Sequence, residues 1–266
     1  MKVILITGAS SGFGKSMARA LVQAGHTVYG TSRYAHDDFD GVHMLRMDVT
    51  NDASVRSAVA EVLRRSGYID VLINNAGMGI GGAVELATDD EIFLQLNTNF
   101  GGVVRVCRAV LSGMRERRAG LIINMSSIAG VFAVPYQGFY SASKSAIERY
   151  SEALTLEMAQ KGVRTVIVEP GDFKTGFTQA RRISDATIAD ADYGASFQRV
   201  LRGIEHDEQN GCNPQWLAQR IVRIVNCRHP HLRYVVATPL QRISLIINRL
   251  LPDRLFLHLI RVFYKV

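Results

Sequence analysis

The sequence has little cysteine, one tryptophan and no long apolar run. Its three cysteines, Cys107, Cys212 and Cys227, are an odd number without a CxxC pair, which excludes a disulfide framework and favours a reducing compartment. No segment approaches the roughly 18 consecutive apolar residues of a membrane-spanning helix. The apolar N-terminal segment runs directly into a glycine turn, which favours a first strand over a signal peptide. We therefore expect a cytoplasmic protein.

The excess of basic residues belongs to one end of the chain. The formal net charge is +7, and residues 228–266 hold seven basic side chains and one acid, Asp253. The preceding residues are almost balanced and show no stretch of interleaved basic and aromatic residues, so no nucleic-acid partner is expected. With 47% hydrophobic residues among 266, the chain can bury a large core.

Short apolar segments alternate with segments of helical period. The short segments lack polar alternation, as expected for strands covered on both faces. The predicted strands are Val3–Ile6, Thr27–Ser32, Val42–Met47, Val71–Asn74, Leu121–Met125, Thr165–Val168 and Tyr234–Ala237. The predicted helices are Gly14–Ala24, Ala53–Arg65, Glu91–Arg117, Tyr140–Gln160 and Trp216–Cys227. This order predicts an α/β fold, a Rossmann-type doubly wound parallel sheet flanked by helices.

No linker or internal repeat divides the chain, so one domain is expected. Residues 1–239 are predicted to form the Rossmann-type domain, within which the polar segment 172–214 is expected to be a mobile lid. Residues 240–266 are expected to form a C-terminal extension of amphipathic basic helices, packed on or beside that domain.

A glycine-rich turn directly follows the first predicted strand and precedes a helix. Its G-x3-G-x-G spacing lets the backbone turn sharply and approach a pyrophosphate at the helix N-terminus. An ordinary glycine-rich connection is the alternative, but the strand-turn-helix context favours dinucleotide binding. The predicted phosphate-binding residues are Gly8, Ser10, Ser11, Gly12, Phe13 and Gly14.

Further motifs follow in a fixed order. They are Asp48-Val49, Asn74-Asn75-Ala76-Gly77, Asn99-x-x-Gly102, Ser126-Ser127, Tyr140-x-x-x-Lys144, and Pro170-Gly171 with Phe173 and Thr175. As an ordered set over residues 1–180, they resemble the single-domain branch of the short-chain dehydrogenase/reductase family. The resemblance implies a nicotinamide cofactor bound by Asp48, Val49, Asn75, Ala76, Gly77, Tyr140, Lys144, Pro170, Gly171, Phe173 and Thr175. It also implies a homodimer or homotetramer that associates through the helices Glu91–Arg117 and Tyr140–Gln160.

Tyr140 and Lys144 are four residues apart on a predicted helix. This spacing puts both side chains on one face, with Cβ atoms about 5–6 Å apart. An ammonium at about 5 Å would lower the pKa of the phenol by about two units, and desolvation would oppose part of that shift. A solvent-facing pair is the alternative interpretation, which Ser127 at the preceding strand end disfavours.

The family resemblance also implies four catalytic residues. Tyr140 would exchange a proton with the ketone or alcohol oxygen, and Ser127, rather than its neighbour Ser126, would hydrogen-bond that oxygen. Lys144 would bind the nicotinamide ribose and lower the pKa of Tyr140. Asn99 would kink its helix and position a water that connects Lys144 to solvent.

The end of the second predicted strand indicates the cofactor. An acidic residue there would bind the adenosine ribose of NAD(H), whereas this chain has Arg33 after Thr31 and Ser32. Arg33 can pair with a 2′-phosphate, which favours NADP(H). The alternative is a solvated Arg33, with Asp37 or Asp38 folding back to the ribose.

The segments expected around the substrate are mostly apolar. Met78, Phe132, Tyr136 and Phe177 are the predicted substrate residues, and they favour a lipophilic ketone or secondary alcohol. The chain is similar to 17β-hydroxysteroid and retinol dehydrogenases in this region, which leaves steroid, retinoid or fatty carbonyl open. A 3-oxoacyl-thioester reductase and a non-catalytic NADP-binding regulator are the alternatives.

The C-terminal helices carry a basic stripe of Arg254, His258, Arg261 and Lys265. Such a helix could make peripheral membrane contact, or it could pack over the pocket or against a partner subunit. His229 and His231 lack a third ligand nearby, so no metal site is expected.

Overall fold

The computed structural model describes residues 1–266 and alternates strands with helices. The strands are β1 (Val3–Ile6), β2 (Thr27–Ser32), β3 (Val42–Arg46), β4 (Val71–Asn74), β5 (Ile80–Gly81), β6 (Gly120–Met125), β7 (Val163–Pro170), β8 (Arg182–Ile183) and β9 (Arg233–Val236). The α-helices are α1 (Gly12–Gln23), α2 (Asp52–Ser66), α3 (Asp89–Leu96), α4 (Gly102–Glu116), α5 (Gly138–Met158), α6 (Phe177–Ala180), α7 (Asp185–Ala189), α8 (Gly194–Gln209), α9 (Pro214–Asn226), α10 (Pro239–Leu250) and α11 (Asp253–Tyr264).

Seven strands form one parallel sheet in the order β3-β2-β1-β4-β6-β7-β9. The chain runs outward from β1 to β3 and then returns to continue from β4 on the other side of β1. The carboxyl ends of β1 and β4 therefore lie side by side where the strand order reverses, which is where ligands bind in open α/β sheets. This is the Rossmann-type fold that the sequence predicted.

Helices cover both faces of the sheet. On one face, α1 and α9 bury Met17, Leu21, Leu217 and Ile221 against the strands. On the other face, α2, α4 and α5 bury a second apolar cluster of 20 residues. Because both faces are covered, the central strands are apolar at nearly every position.

The predicted boundaries of the main elements are within two or three residues of the observed ones. The helix predicted over Glu91–Arg117 consists of α3 and α4 joined by a π-helical turn, Asn97–Gly101. The segment 172–214, in which the sequence showed no clear pattern, contains α6, β8, α7 and α8. Strand β8 pairs with β5 in a separate two-stranded sheet.

The chain ends in two helices, α10 and α11. Helix α10 begins with a capping box. The Thr238 side chain accepts a hydrogen bond from the backbone N–H of Gln241, and the Gln241 side chain accepts one from the backbone N–H of Thr238. Pro239 occupies the first turn, where its missing N–H costs no hydrogen bond. None of the eleven α-helices combines the length and apolar character needed to cross a bilayer.

Candidate active site

The turn between β1 and α1 is held in one conformation by close backbone contacts. Gly8 has φ +68°, and a Cβ on Gly14 would lie 2.0 Å from the Gly8 carbonyl oxygen. The Asn75 side chain donates hydrogen bonds of 3.0 Å to the carbonyls of Thr7 and Gly8. Ser11 at the N-cap of α1 makes no side-chain cap hydrogen bond, so the first-turn N–H groups remain free for an anion. These features fit a dinucleotide pyrophosphate.

One cavity of about 1000 Å³ extends from this turn across the carboxyl ends of the strands. Most predicted cofactor residues line it, as do three of the four predicted catalytic residues, Ser127, Tyr140 and Lys144. The cofactor residues in the wall are Gly8, Ser10, Ser11, Gly12, Phe13, Arg33, Val49, Asn75, Ala76, Gly77, Tyr140, Lys144, Pro170, Gly171, Phe173 and Thr175.

Gly14 and Asp48, two predicted cofactor residues, lie outside the cavity wall. Gly14 acts through its close approach to Gly8. The Asp48 carboxylate accepts hydrogen bonds from the backbone N–H of Thr50 at 2.8 Å and from its hydroxyl at 2.7 Å. Its side chain therefore stabilises the turn after β3, and the neighbouring Met47 and Val49 line the cavity instead.

The cavity wall at the end of β2 has no acidic side chain. Ser32, Arg33, Tyr34 and His36 line it there. The Asp38 carboxylate accepts hydrogen bonds from the Met44 backbone N–H at 2.7 Å and from His43, which directs it away from the cavity. This end of the cavity is therefore lined by groups that can donate hydrogen bonds to a phosphate.

Ser127 and Tyr140 present their hydroxyls in the centre of the cavity. The Ser127 oxygen accepts a hydrogen bond from the Ala129 N–H at 3.1 Å, so its own proton is free to be donated. Ser126 is 96% buried and its hydroxyl donates to the Lys144 carbonyl, which directs it into the interior. Both serines line the cavity, and it is Ser127 whose hydroxyl lies within hydrogen-bond reach of Tyr140, while its catalytic role stays a prediction.

Burial raises the pKa of Tyr140 to about 12, although the Ser127 hydroxyl opposes the shift. The charges of Glu208 and Asp172 raise it further. The expectation that Lys144 brings this pKa below its ordinary value is not met by the chain's own groups, because desolvation of the phenol makes the largest contribution to its pKa. A protonated Tyr140 is suited to donate its proton, which is the role required in ketone reduction.

Lys144 is 94% buried on the turn of α5 after Tyr140. Its Nζ donates a hydrogen bond of 2.9 Å to the Met125 carbonyl at the end of β6. Burial lowers the pKa of Lys144 to about 8. Lys144 is thus fixed between β6 and the cavity, where its remaining N–H groups can reach a ribose hydroxyl.

Asn99 is fully buried in the π-helical turn between α3 and α4. Its side chain accepts from the Met78 N–H and donates to the Met78 carbonyl, both at 2.9 Å. It also donates to Ser143, whose hydroxyl donates to the Tyr140 carbonyl at 2.7 Å. Asn99 therefore connects the loop after β4 to the first turn of α5, and its link to a water stays a prediction.

Three of the four predicted substrate residues, Met78, Phe132 and Phe177, line the cavity. Tyr136 does not. It has φ +59°, and its ring lies 5.3 Å from that of Phe197, centroid to centroid, beneath α8. Tyr136 thus packs against the segment 172–214 and lies outside the cavity wall, and its contact with a substrate stays a prediction.

The C-terminal helices complete the cavity. The Phe132 ring lies 5.3 Å from that of Phe256 in α11, centroid to centroid. Apolar residues from both helices form a continuous part of the wall: Leu240, Ile243, Ile247, Phe256, Leu259, Ile260 and Phe263. Helices α10 and α11 therefore pack over the cavity of their own chain, which is one of the arrangements that the sequence left open.

Acidic residues in the wall were not anticipated from the sequence. Asp172, Asp207 and Glu208 line the cavity. Glu208 is paired with Arg181 and accepts from the Thr178 hydroxyl at 2.6 Å. Asp172 has no salt-bridge partner, and its side chain accepts one hydrogen bond, of 2.6 Å, from Gln241 of α10. Asp172 directly follows the Pro170-Gly171 motif, and this position in the sequence could have indicated that it lies near the site.

Burial raises the pKa of Asp172 to about 6, and the charges of Glu208 and Asp207 add to that shift. Asp172 is therefore a partly desolvated carboxylate that would be stabilised by a cation in the cavity. No group of three or more His, Cys, Asp or Glu side chains is arranged to hold a metal ion.

The fold and the Ser127–Tyr140–Lys144 arrangement together define an oxidoreductase of the Rossmann type that acts on a carbonyl or alcohol. The chain belongs to the short chain dehydrogenase family, whose model matches residues 2–186. Among solved structures, a short-chain dehydrogenase from Streptomyces avermitilis is 34% identical with a TM-score of 0.83, and the match covers 94% of this chain and 93% of that one.

Two curated relatives match over almost their whole length. A 3-ketodihydrosphingosine reductase of Bacteroides thetaiotaomicron is 52% identical over 265 residues, which cover 100% of this chain and 98% of the relative. An NADPH-dependent 3-dehydrocapnine reductase of Ornithobacterium rhinotracheale is 30% identical, with 100% and 97% covered. Both relatives include the segment that forms α10 and α11 here.

Proposed function

We propose that this protein reduces the ketone of a long-chain amino lipid of the 3-ketodihydrosphingosine type, with NADPH as the hydride donor. Such a substrate combines a long saturated chain with a polar end, where an amino group lies on the carbon beside the ketone. The 52% identity to a 3-ketodihydrosphingosine reductase along the whole chain supports this class of substrate. The apolar wall contributed by α10 and α11 would hold the hydrocarbon chain.

The observation that carries the proposal is Asp172. It lies in the wall of the cavity that contains Tyr140, and its charge is close enough to raise the pKa of that tyrosine. A steroid or retinoid ketone has no cation for this carboxylate, whereas the ammonium beside the ketone of an amino lipid would pair with it. The same ammonium would stabilise the ionised form of Asp172 and so offset the effect of desolvation, which raises the pKa of this carboxyl.

In the proposed reaction the chain's own groups orient the ketone and supply its proton. Ser127 donates a hydrogen bond to the ketone oxygen, and Asp172 holds the neighbouring ammonium. Tyr140 transfers its phenolic proton to the oxygen as the negative charge develops there. Lys144 binds the ribose of the nicotinamide nucleotide and, once Tyr140 is deprotonated, its ammonium stabilises the phenolate. NADPH supplies the hydride when bound.

The test is NADPH oxidation with 3-ketodihydrosphingosine and with the matching long-chain ketone that lacks the amino group. We expect kcat/KM to be higher for the amino ketone, and Asp172→Asn to lower it by about tenfold or more, as for a charge-assisted hydrogen bond. The amine-free ketone should be unaffected by that variant. Asp185→Asn, an exposed residue of the first turn of α7, is the control. Equal turnover of both ketones would exclude recognition of the amine, and no turnover of either would exclude the substrate class.

The choice of NADPH rests on Arg33. Its side chain lines the cavity beside Ser32, and the neighbouring acids are outside the wall. We expect Arg33→Ala to raise the Kd for NADPH about tenfold or more and to leave that for NADH unchanged, because only NADPH carries the 2′-phosphate. Fluorescence titration measures both constants, and Arg19→Ala, whose guanidinium pairs with Asp40, is the control. Tighter binding of NADH by the unaltered protein would overturn this proposal.

A further inference from the structure

Helices α10 and α11 share an exposed apolar surface, called here the tail face. On α10 it comprises Leu240, Ile243, Ile246 and Leu250, and on α11 it comprises Leu255, Leu259, Val262 and Phe263. The exposed fractions of these eight residues range from 43% to 77%. Single exposed apolar side chains are ordinary, but a contiguous group of large ones on two adjacent helices marks an interaction surface.

Helix α11 has three faces where a surface helix ordinarily has two. Phe256 is buried on the face toward the cavity. Arg254, His258, Arg261 and Lys265 recur at helical spacing on an exposed basic face. Leu255, Leu259 and Val262 form an exposed apolar sector beside the basic face, and Leu257, also exposed, lies on the opposite side of that face. Burial against the protein therefore accounts for one apolar face and leaves the other without a partner.

Helix α10 has a similar division. Leu245 is buried and Gln241 faces the cavity, whereas Ile246 and Leu250 are exposed away from it. Ile243 lies at the border, because it is exposed and also lines the cavity. Arg242 and Arg249 are exposed beside that apolar sector, so basic residues border it on this helix also. The two helices thus present apolar side chains next to cations.

We propose that the tail face docks on an anionic lipid bilayer. Helices α10 and α11 and the residue that follows them carry one acid, Asp253, and five exposed basic side chains: Arg242, Arg249, Arg254, Arg261 and Lys265. The surface around the tail face is therefore complementary to anionic headgroups. A second copy of the chain would bring the same cationic surface against it, which disfavours self-association there. On a bilayer, the apolar side chains would insert below the headgroups, and the Arg and Lys side chains would reach up to the headgroup phosphates. Both the apolar and the basic parts of the surface would then have a partner.

The tail face is continuous with the active-site cavity. Leu240, Ile243, Leu259 and Phe263 are partly exposed and also line the cavity. A bilayer on the tail face would therefore contact side chains that also line the cavity, which gives a lipid an apolar path from the bilayer to the cavity. The docking goes beyond the proposed function, because it does not depend on which lipid is reduced.

The test is sedimentation of the full-length protein with phosphatidylcholine vesicles that contain or lack phosphatidylglycerol, with no substrate present. We expect binding to the anionic vesicles and little binding to pure phosphatidylcholine. The double variant Leu250→Gln/Val262→Gln removes two apolar residues of the tail face that do not line the cavity. It should reduce partitioning by at least about tenfold, given the transfer free energy of two such side chains. Trp216→Gln, an apolar residue 61% exposed on α9, should have no effect.

A second double variant tests the charges. Arg254→Gln/Lys265→Gln should weaken binding to anionic vesicles about 30-fold, because each cation near such a surface contributes a factor of about five. Arg115→Gln/Arg223→Gln, which removes two exposed cations elsewhere, should leave binding unchanged. Failure to bind anionic vesicles, or equal losses in the control variants, would overturn the proposal. A dimer that becomes monomeric in Leu250→Gln/Val262→Gln, without vesicle binding in the parent, would assign the tail face to a second copy instead.

Discussion

The Lys144 ammonium nitrogen lies 5.7 Å from the centroid of the Tyr140 ring, while it donates a hydrogen bond to the Met125 carbonyl at the end of β6. The cation is therefore held by the sheet as well as by α5, the helix that carries both residues. At this distance it can stabilise a phenolate that forms during the reaction, although burial keeps the pKa of the resting phenol at about 12. A protonated Tyr140 can donate its proton to a ketone oxygen, and Lys144 can stabilise the phenolate that results.

Replacing Tyr140 removes the proton donor and preserves the ring. We expect Tyr140→Phe to lower kcat about 10³-fold, the usual contribution of a positioned general acid, with the Kd for NADPH little changed. Tyr150→Phe is the matched control, because Tyr150 lies on the same helix but its hydroxyl is beside Cys107, away from the cavity. Single-turnover kinetics and a fluorescence titration separate the two effects, and a Tyr140→Phe enzyme with near-normal kcat would contradict the mechanism.

The acid limb of the pH profile should report Asp172. The pKa of this carboxyl is raised to about 6, so it is ionised above that pH and neutral below it. We expect kcat/KM for the amino ketone to fall as the pH drops through about 6, because the neutral acid cannot pair with the ammonium. The limb should be absent in Asp172→Asn and for the amine-free ketone. An identical limb in all three would assign it to another group.

Two glycine-to-alanine substitutions should have opposite effects. A Cβ on Gly14 would lie 2.0 Å from the Gly8 carbonyl oxygen, so Gly14→Ala must displace the turn and should lower both the Tm and the affinity for NADPH. A Cβ on Gly113, inside α4, meets no atom within 4 Å. Gly113→Ala should raise the free energy of unfolding by about 0.5–1 kcal/mol, by the difference in helix propensity. Thermal denaturation followed by circular dichroism measures both, and equal effects would show that the turn is not constrained.

Arg233 on β9 is surrounded by three carboxylates. It pairs with Glu148 at 2.7 Å, with Glu169 at 3.3 Å and with Glu152. Glu148 and Glu169 are almost fully buried, and burial raises the pKa of Glu169 to about 7. Because removal of one partner leaves buried charge uncompensated, Arg233→Gln should lower the free energy of unfolding by about 3 kcal/mol near neutral pH.

The pH dependence gives the sign of this effect. Arg233 favours the ionised carboxylates, so the loss in Arg233→Gln should be large above about pH 7 and smaller near pH 5, where Glu169 is protonated in the folded protein. Urea denaturation at several pH values measures it. Arg149→Gln, which removes an exposed partner of Glu152, should cost less than about 1 kcal/mol at every pH. A loss independent of pH would indicate that Arg233 acts through packing.

Local sequence patterns were sufficient to predict the strands of the sheet, the glycine turn and the spacing of Tyr140 and Lys144. Each of these is formed by residues that are close together in the sequence. The cavity wall depends on contacts between distant residues, such as Phe132 with Phe256 and Asp172 with Gln241. No local pattern indicates which side chains such contacts bring together. The packing of Tyr136 against Phe197 is a contact of this kind, because the two residues are far apart in the sequence and give no local signal for it.

The pKa of Tyr140 was misjudged for a related reason. Helical spacing predicts that Lys144 lies close to the Tyr140 phenol. The burial of that phenol and the nearby charges of Glu208 and Asp172, which raise its pKa, depend on how the segment 172–214 packs. The mobility of that segment and the association of the chain into homodimers or homotetramers stay predictions.

The position of α10 and α11 separates two properties along the chain. The groups that perform the chemistry are complete by Lys144, whereas much of the apolar wall is contributed after Thr238. Met78, Phe132 and Phe177 contribute the wall nearer to Tyr140 along the chain, so α10 and α11 supply apolar surface without supplying Ser127, Tyr140 or Lys144. For the proposed lipid substrate, we expect that exchanging α10 and α11 between relatives changes the preferred chain length more than it changes the rate of the chemical step.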